Sequence, residues 1–278
     1  MKKYLLLASF LFIFGLALIT SHGRPELAVY FFDIGQGDGV LITTPAGAAI
    51  LIDGGPSRKI LSQISDVLPF FKKNIDLSIL THPHADHLTG NLAVMERYRV
   101  DKVLATGVLH TIDEYSEWLS IIKNEQIPWQ QAKAGDSISF SDGVKFDILF
   151  PISDLSGREV DDLNSTSVTV KLSYGQTRAL FTGDITAENE SEIIRNNGDI
   201  SAQLLKVPHH GSRTSSTPEF IKAVNPQWAV ISAGLNNSFG HPHAETLLRY
   251  KVLGVEILRT DQDGTIKFVS DGQVWRRQ

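Results

Sequence analysis

Four potential metal ligands fall within six residues of one another in the run Thr81-His82-Pro83-His84-Ala85-Asp86-His87. His82 and His84, two apart on an extended segment, can aim two imidazoles at one cation. Asp86 and His87 then turn away and reach a second cation, and hydrolytic two-metal sites hold their ions about 3.5–4 Å apart. Ions that close need a shared acceptor, usually a carboxylate. Asp184 is placed for that role, because it closes the apolar run Ala179-Leu180-Phe181 just after Gly183. The other histidines also cluster, His209 beside His210 and His241 with His243 around Pro242, while His22 and His110 stand apart. A lone buried histidine is usually a satisfied core group, but four potential ligands at one strand end do not fit that reading.

The chain has 278 residues and no cysteine. Disulfides, thiolate ligands and a lipoprotein anchor are thereby excluded, and any metal must be held by imidazole nitrogen and carboxylate oxygen. There is no Gly-x-Ser-x-Gly elbow either, so water activated by metal, not a side-chain nucleophile, is the expected attacking group. The formal net charge of −5 argues against sequence-independent capture of long duplex nucleic acid, which needs a basic face. A local basic patch remains compatible with it.

Short β-prone runs separated by glycine and proline must carry these ligands. Leu27–Phe32, Val40–Thr43 and Ala49–Ile52 read as three strands joined by tight turns, an antiparallel start. A helix is expected over Ser57–Leu68, and the strand Leu77–Leu80 runs directly into the histidine cluster. Further helices are expected over Gly90–Tyr98, Asp113–Asn124, Ala187–Asn196, Pro218–Val224 and Ala244–Lys251. Strands are expected over Val100–Ala105, Val144–Phe150, Ser167–Leu172, Ala179–Phe181, Leu204–Val207, Trp228–Ser232, Val255–Leu258 and Ile266–Val269. Strand-rich stretches interleaved with single helices imply two packed sheets with helices outside, a four-layer αββα sandwich of the α/β class. Each histidine cluster follows a strand, and loops at one end of such a sheet converge on one crevice. The closing Trp275-Arg276-Arg277 reads as a solvated tail.

The N-terminus carries Lys2 and Lys3, an apolar run from Tyr4 to Ile19 and a polar exit at Thr20-Ser21-His22-Gly23. That pattern matches an export signal. The run is short for a membrane span, which needs about 20 residues, and the exit lacks an Ala-x-Ala site. Residues 1–23 are therefore read as a cleaved signal peptide or a retained membrane anchor, and residues 24–278 as the hydrolase domain. Either reading puts the protein outside the cytoplasm, secreted or attached to the outer face of the cytoplasmic membrane.

His82-Pro83-His84-Ala85-Asp86-His87 resembles the HxHxDH signature of the metallo-β-lactamase fold, and Phe181-Thr182-Gly183-Asp184 resembles its later bridging-aspartate motif. Asp53-Gly54-Gly55 is similar to the fold's early Asp-Gly. Phe32–Asp38, Val207–Ser212 and Gly240-His241-Pro242 resemble more closely the competence-type subgroup, the hydrolase domain of the DNA-uptake protein ComEC/Rec2 and its stand-alone relatives. The resemblance runs from about Leu27 to Val269. It implies two divalent ions, zinc or manganese, with His82 and His84 on one and Asp86 and His87 on the other, and with Asp184 bridging. His210 matches the last histidine ligand, with His241 its rival for that place. His209, and His241 if it is not a ligand, would face the substrate or donate a proton, and Asp86 belongs to the catalytic set as well. Asp53 is expected to orient a ligand histidine.

One departure matters. Many members carry a further histidine between HxHxDH and the bridging aspartate, where this chain has only His110 and, at the corresponding segment, Asn164-Ser165-Thr166-Ser167. Asn164 would then contact substrate or hold a water, and a hard ion such as manganese becomes the better fit. Asp33, Gln36 and Asp38 either line the pocket or bond their own turn. Ser212, with Thr214, Ser215, Ser216 and Arg213, either binds phosphate oxygens or forms a plain loop and cap.

The resemblance implies a phosphodiesterase or nuclease acting through a hydroxide shared by the two ions, with single-stranded DNA as one substrate and no obligate protein partner. Two alternatives stay open: an extracytoplasmic hydrolase of a cell-surface phosphodiester such as a phosphocholine ester, and a non-catalytic metal-binding module.

Overall fold

The computed structural model describes residues 26–278. The expected signal or anchor over residues 1–23 lies outside them. Among the described residues no helix is long and apolar enough to cross a membrane.

Leu27–Phe31 (β1), Val40–Thr43 (β2) and Ala49–Ile52 (β3) form the expected antiparallel meander. Lys59–Val67 (α1) follows and buries Ile60 and Ile64, one helical turn apart. The short strands Asn74–Ile75 (β4) and Leu77–Ile79 (β5) lead to Ala85–Arg97 (α2). Arg99–Val100 (β6) and Val103–Ala105 (β7) precede Asp113–Asn124 (α3), whose Tyr115, Trp118 and Ile122 recur at helical spacing and are buried. Trp129–Gln131 (β8) completes this half.

The second half contains Ser137–Ser139 (β9), Lys145–Phe150 (β10), Thr169–Tyr174 (β11) and Thr177–Phe181 (β12), antiparallel to one another in turn. Ala187–Asn196 (α4), Leu204–Lys206 (β13), Pro218–Val224 (α5), Trp228–Ile231 (β14), Ala244–Val252 (α6) and Glu256–Arg259 (β15) then alternate, so β12 to β15 pair in parallel. The single turn Thr260–Asp263 (α7) returns the chain to the first sheet as Ile266–Ser270 (β16) and Trp275–Arg277 (β17).

The sheets have the orders β17-β16-β1-β2-β3-β5-β7-β8 and β15-β14-β13-β12-β11-β10-β9. Three hydrophobic cores separate four layers. Phe31, Ile52, Phe146, Phe181 and Phe268 pack between the sheets. Leu51, Ile64, Leu88 and Trp118 join the first sheet to α1, α2 and α3. Leu205, Ile193, Phe220 and Tyr250 join the second to α4, α5 and α6. Each such large apolar side chain contributes about 1.5–3 kcal/mol on burial. The structure is the αββα sandwich that the strand and helix pattern implies.

Two local expectations are corrected. Trp275-Arg276-Arg277 is not a solvated tail: it pairs with β16, and the Trp275 ring is 6% exposed in the inter-sheet core. The helix expected to begin at Gly90 begins at Ala85, inside the histidine motif. The small strands β8 and β9, half exposed and polar, carry no periodic apolar signal and escape sequence reading.

Candidate metal centre

Strands β3 and β5 run in parallel and end together, so Asp53 and Thr81-His82 leave the first sheet at one rim. Across the sandwich, β12, β13 and β14 also end in parallel, and they deliver Asp184, His209-His210 and Ser232 to the same rim. The two halves are tied there by the Val168 amide, which donates to the Thr81 carbonyl at 2.9 Å.

His87 lies in the first turn of α2 and is fully buried. Its Nδ1 donates to Oδ2 of Asp53 at 2.8 Å, which leaves Nε2 facing the interior of the site. Asp53 is itself fully buried, and it accepts from the Thr81 amide at 2.8 Å and the Thr81 hydroxyl at 2.7 Å. A carboxylate on the far nitrogen of a ligand imidazole fixes its tautomer and raises its basicity. His210 is held in the same sense: Nδ1 donates to the Ser232 carbonyl at 2.9 Å and Nε2 is free. His209 and His210 both have positive φ, 49° and 52°, and their ring centroids lie 6.2 Å apart with both side chains on the same cleft.

Asp86, His87, Asp184 and His210 converge, with one donor atom from each all within 4.8 Å of one another. Oδ2 of Asp184 is 3.3 Å from Nε2 of His87 and 3.2 Å from Nε2 of His210. Oδ2 of Asp86 is 3.4 Å from Nε2 of His210. These are ion-pair separations, yet the buried Nε2 atoms of His87 and His210 and Oδ1 of Asp184 have no hydrogen-bond partner. Buried polar atoms are normally satisfied, so two orphaned imidazole nitrogens beside the Asp86 and Asp184 carboxylates fit a divalent cation. Two imidazoles and two carboxylates suit zinc or manganese alike.

The electrostatics agree. Burial alone would push His87 and His210 down, but the surrounding carboxylates, led by Asp184, hold both well above the ordinary histidine value. Asp184 is driven well below the carboxylate range by His210 and His87 against the opposing effect of burial. Asp86 is lowered in the same way, by His87 and His210 against burial. The imidazole protons occupy the place of a cation, and metal binding would release them.

His82 and His84 lie beside this quartet without joining it. Nε2 of His82 contacts Nδ1 of His84 at 3.0 Å, and Nδ1 of His82 faces the hydroxyls of Thr81 at 3.0 Å and Ser167 at 3.3 Å. The His82 ring is 4.2 Å from that of His87, centroid to centroid. Among the described residues no third histidine completes this pair. His110 stands near Tyr115, whereas Asn164 lines the cleft with its Oδ1 buried and without a partner.

The cleft has a volume of about 310 Å³ and is walled by Gln36, His84, Asp86, Asn164, Asp184, His209, His210, Phe239 and His241. His241 stands outside the quartet, its ring centroid 6.2 Å from that of His210, with Nδ1 buried and unpartnered. Burial and then His210, His209 and His243 push His241 down to about 4, so it presents a neutral imidazole to the cleft at neutral pH. His209 is lowered too, chiefly by burial.

Not every expected residue reaches the site. Asp33 is a turn residue: its carboxylate caps the Gly35 amide at 3.4 Å and pairs with Lys59 at 3.3 Å, away from the cleft. Ser212 bonds the hydroxyl of Thr214 at 3.0 Å and serves its own loop. The group that sequence reading missed is Lys206, 2% exposed on β13, whose ammonium pairs with Asp38. A charge within the apolar strand Leu204-Leu205-Lys206-Val207, just before Pro208-His209-His210, was the available signal.

The family profile for the Metallo-beta-lactamase superfamily matches residues 33–234, from the glycine-rich turn through the whole metal cluster. The chain belongs to the metallo-beta-lactamase superfamily. It is 29% identical to ComE operon protein 3 of Bacillus subtilis over 90% of its own length and 30% identical to competence protein ComA of Neisseria gonorrhoeae over 87%. Recombination protein 2 of Haemophilus influenzae is 29% identical over 87%. The chain spans about a third of the length of these relatives, 33%, 32% and 29% in turn. Among solved structures, the metallo-beta-lactamase fold protein YhfI of Bacillus subtilis superposes with a TM-score of 0.59 at 12% identity, covering 88% of this chain and all of that one. The protein is thus a hydrolase of this superfamily related to competence proteins, with a candidate site for divalent metal.

Proposed function

We propose that the protein is a metal-dependent phosphodiesterase that takes single-stranded nucleic acid as substrate, and that it works outside the cytoplasmic membrane. The observation that carries the reading is the Asp86–His87–Asp184–His210 quartet, whose buried unpartnered donor atoms open onto a cleft walled by His209, His241 and Asn164. Similarity to proteins named for competence and recombination supports a nucleic acid as the phosphodiester.

In this reading Asp86, His87, Asp184 and His210 hold one ion. His82 and His84 would hold a second, and Asp184 would be the carboxylate offered to both. When bound, such a pair supplies Lewis acidity and a water acidified to near pH 7. The protein's own groups do the rest. Asp53 and the Ser232 carbonyl keep His87 and His210 in the ligating tautomer. His209 and His241 stand where the phosphoryl oxygens and the leaving group would lie, and Asn164 offers an unfilled acceptor for substrate or water. The net charge of −5 suits a flexible single strand threading a local cleft better than a duplex needing a broad basic face. The incomplete histidine shell around His82 and His84 favours manganese at that position, since oxygen-rich shells select harder ions. The basic and apolar N-terminus supports export.

The test is to incubate the purified protein with manganese or zinc and a panel of phosphodiesters, including single-stranded oligonucleotides. Metal-dependent cleavage, abolished by Asp184→Ala, is expected. Failure to cleave any phosphodiester, with Asp184→Ala matching the wild type, would remove the proposal.

A further inference from the structure

The geometry points to a membrane-contacting finger at Phe70-Phe71-Lys72-Lys73, which seats two phenyl rings in the headgroup region of an anionic bilayer and holds the metal cleft on the far, aqueous side. Phe70 is 85% exposed and Phe71 72% exposed, and their rings meet edge-on with centroids 5.6 Å apart. Single exposed hydrophobics are ordinary, whereas two adjacent phenylalanines projecting together mark a surface that is covered in use.

The finger is preformed. The Lys72 amide closes a turn on the Pro69 carbonyl at 2.8 Å, and the Arg99 amide donates to the Lys73 carbonyl at 3.0 Å. Lys72 is tied to Asp76 at 2.6 Å, and Arg99 to Asp101 at 2.7 Å. Lys73 is exposed and has no ion pair among the described residues, so its charge is left for an anionic partner. Two acids near the tip form no ion pair among the described residues: exposed Asp66, four residues before Phe70, and Asp142, which accepts from the Ala46 amide.

The position of the finger selects the occupant. Ala28 of β1 pairs with Thr43, Thr43 pairs with Ala49, and the Ala49 amide donates to Asp76 at 2.8 Å. Three strand spacings of about 4.8 Å therefore separate the start of β1, where Glu26 joins the preceding sequence, from the finger. That preceding sequence contains the apolar run Tyr4–Ile19 with Lys2 and Lys3 before it. Strands β1, β3 and β5 all run from this end toward the rim that carries Gln36, Asp53 and His82. A bilayer at this end meets the two rings on the side from which the preceding sequence enters β1. Aromatic rings beside lysines are the composition that settles at the membrane–water interface, and the inference does not depend on the substrate of the metal site.

The chain has no cysteine, so a single introduced one reports without background. Full-length Phe71→Cys and Leu235→Cys, each carrying an environment-sensitive fluorophore, are added to phosphatidylcholine vesicles with and without phosphatidylglycerol. Leu235 is 72% exposed at the opposite, metal-bearing end. The label at 71 is expected to shift to the blue and to be quenched by lipid-attached nitroxide several-fold more than the label at 235, most strongly with phosphatidylglycerol. A label at 71 that stays in water on vesicle-bound protein overturns the proposal. So does a blue shift at 71 before lipid is added, which would mean that this chain or a second copy covers the rings. Equal quenching on both lipids removes the role given to Lys73.

Discussion

Lys206 and Asp38 form a buried ion pair directly behind the ligand cluster, the two side chains 2% and 4% exposed. The other oxygen of Asp38 lies 3.3 Å from Nδ1 of His210, and the Lys206 ammonium lies 3.8 Å from Oδ1 of Asp184. Three buried carboxylates, Asp38, Asp53 and Asp184, crowd one volume with half-buried Asp86 at its edge, and the lysine is the fixed cation among them. Lys206→Met leaves Asp38 buried without its partner, which costs about 3–5 kcal/mol. Urea unfolding should show that loss. Asp38→Asn combined with Lys206→Met should recover part of it, because the two groups are coupled. Strictly additive losses would mean that the pair is not acting as one.

Asp53 illustrates a residue that acts through another. It accepts a hydrogen bond from Nδ1 of His87 and so dictates which nitrogen faces the cluster. Asp53→Asn can turn its amide nitrogen toward His87 and favour the wrong tautomer. Metal affinity should fall about 10–100-fold, as measured by titration with manganese or zinc, while the fold survives. Unchanged affinity would show that the Asp53 contact is only structural.

The layered architecture was legible because apolar runs of strand length alternate with helical spacing along most of the chain, and because each histidine cluster follows a strand. Asp86, His87, Asp184 and His210 come from motifs that are visible in the sequence, and the structure sets the Asp53 carboxylate against Nδ1 of His87. What could not be read was tertiary choice. Asp33 and Asp38 occupy one glycine-rich turn, and only the pairing of β1 with β2 decides that Asp38 points into the core toward Lys206 while Asp33 stays with Lys59. Trp275 reads as tail because three residues are too few to show a period, yet β16 supplies a partner and the inter-sheet core a place for its ring. His210 and His241 are rivals for one place in sequence; the structure puts His210 in the quartet, with Nδ1 on the Ser232 carbonyl, and leaves His241 on the cleft wall.

That last difference separates two variants. His210→Ala removes a member of the quartet, so metal bound per chain should drop by about one ion together with activity. His241→Ala should leave the metal content unchanged and lower turnover about 10²–10⁴-fold if the imidazole handles a proton, with a smaller loss if it only contacts a phosphoryl oxygen. Metal analysis of the dialysed proteins, beside the rate on one phosphodiester, distinguishes the two positions. Loss of an ion in His241→Ala with none lost in His210→Ala would exchange their roles.

Glu190 ties the histidine loop to α4 and makes stability depend on pH. It is fully buried and accepts from the Ser216 amide, from the Thr217 amide at 2.8 Å and from the Thr217 hydroxyl at 2.7 Å. Burial raises its pKa from 4.5 to about 7, more than those hydrogen bonds and the Arg249 charge lower it. The folded state therefore holds this proton more tightly than the unfolded chain does. The resulting stabilisation is fully present below about pH 4.5 and is lost as pH rises through about 7. Unfolding free energies of the wild type and Glu190→Gln, compared near pH 5 and near pH 8, isolate the group. The wild type should lose roughly 2–3 kcal/mol relative to the variant across that interval. A constant difference between the two proteins at both pH values would mean that Glu190 is already ionised in the fold at the lower pH.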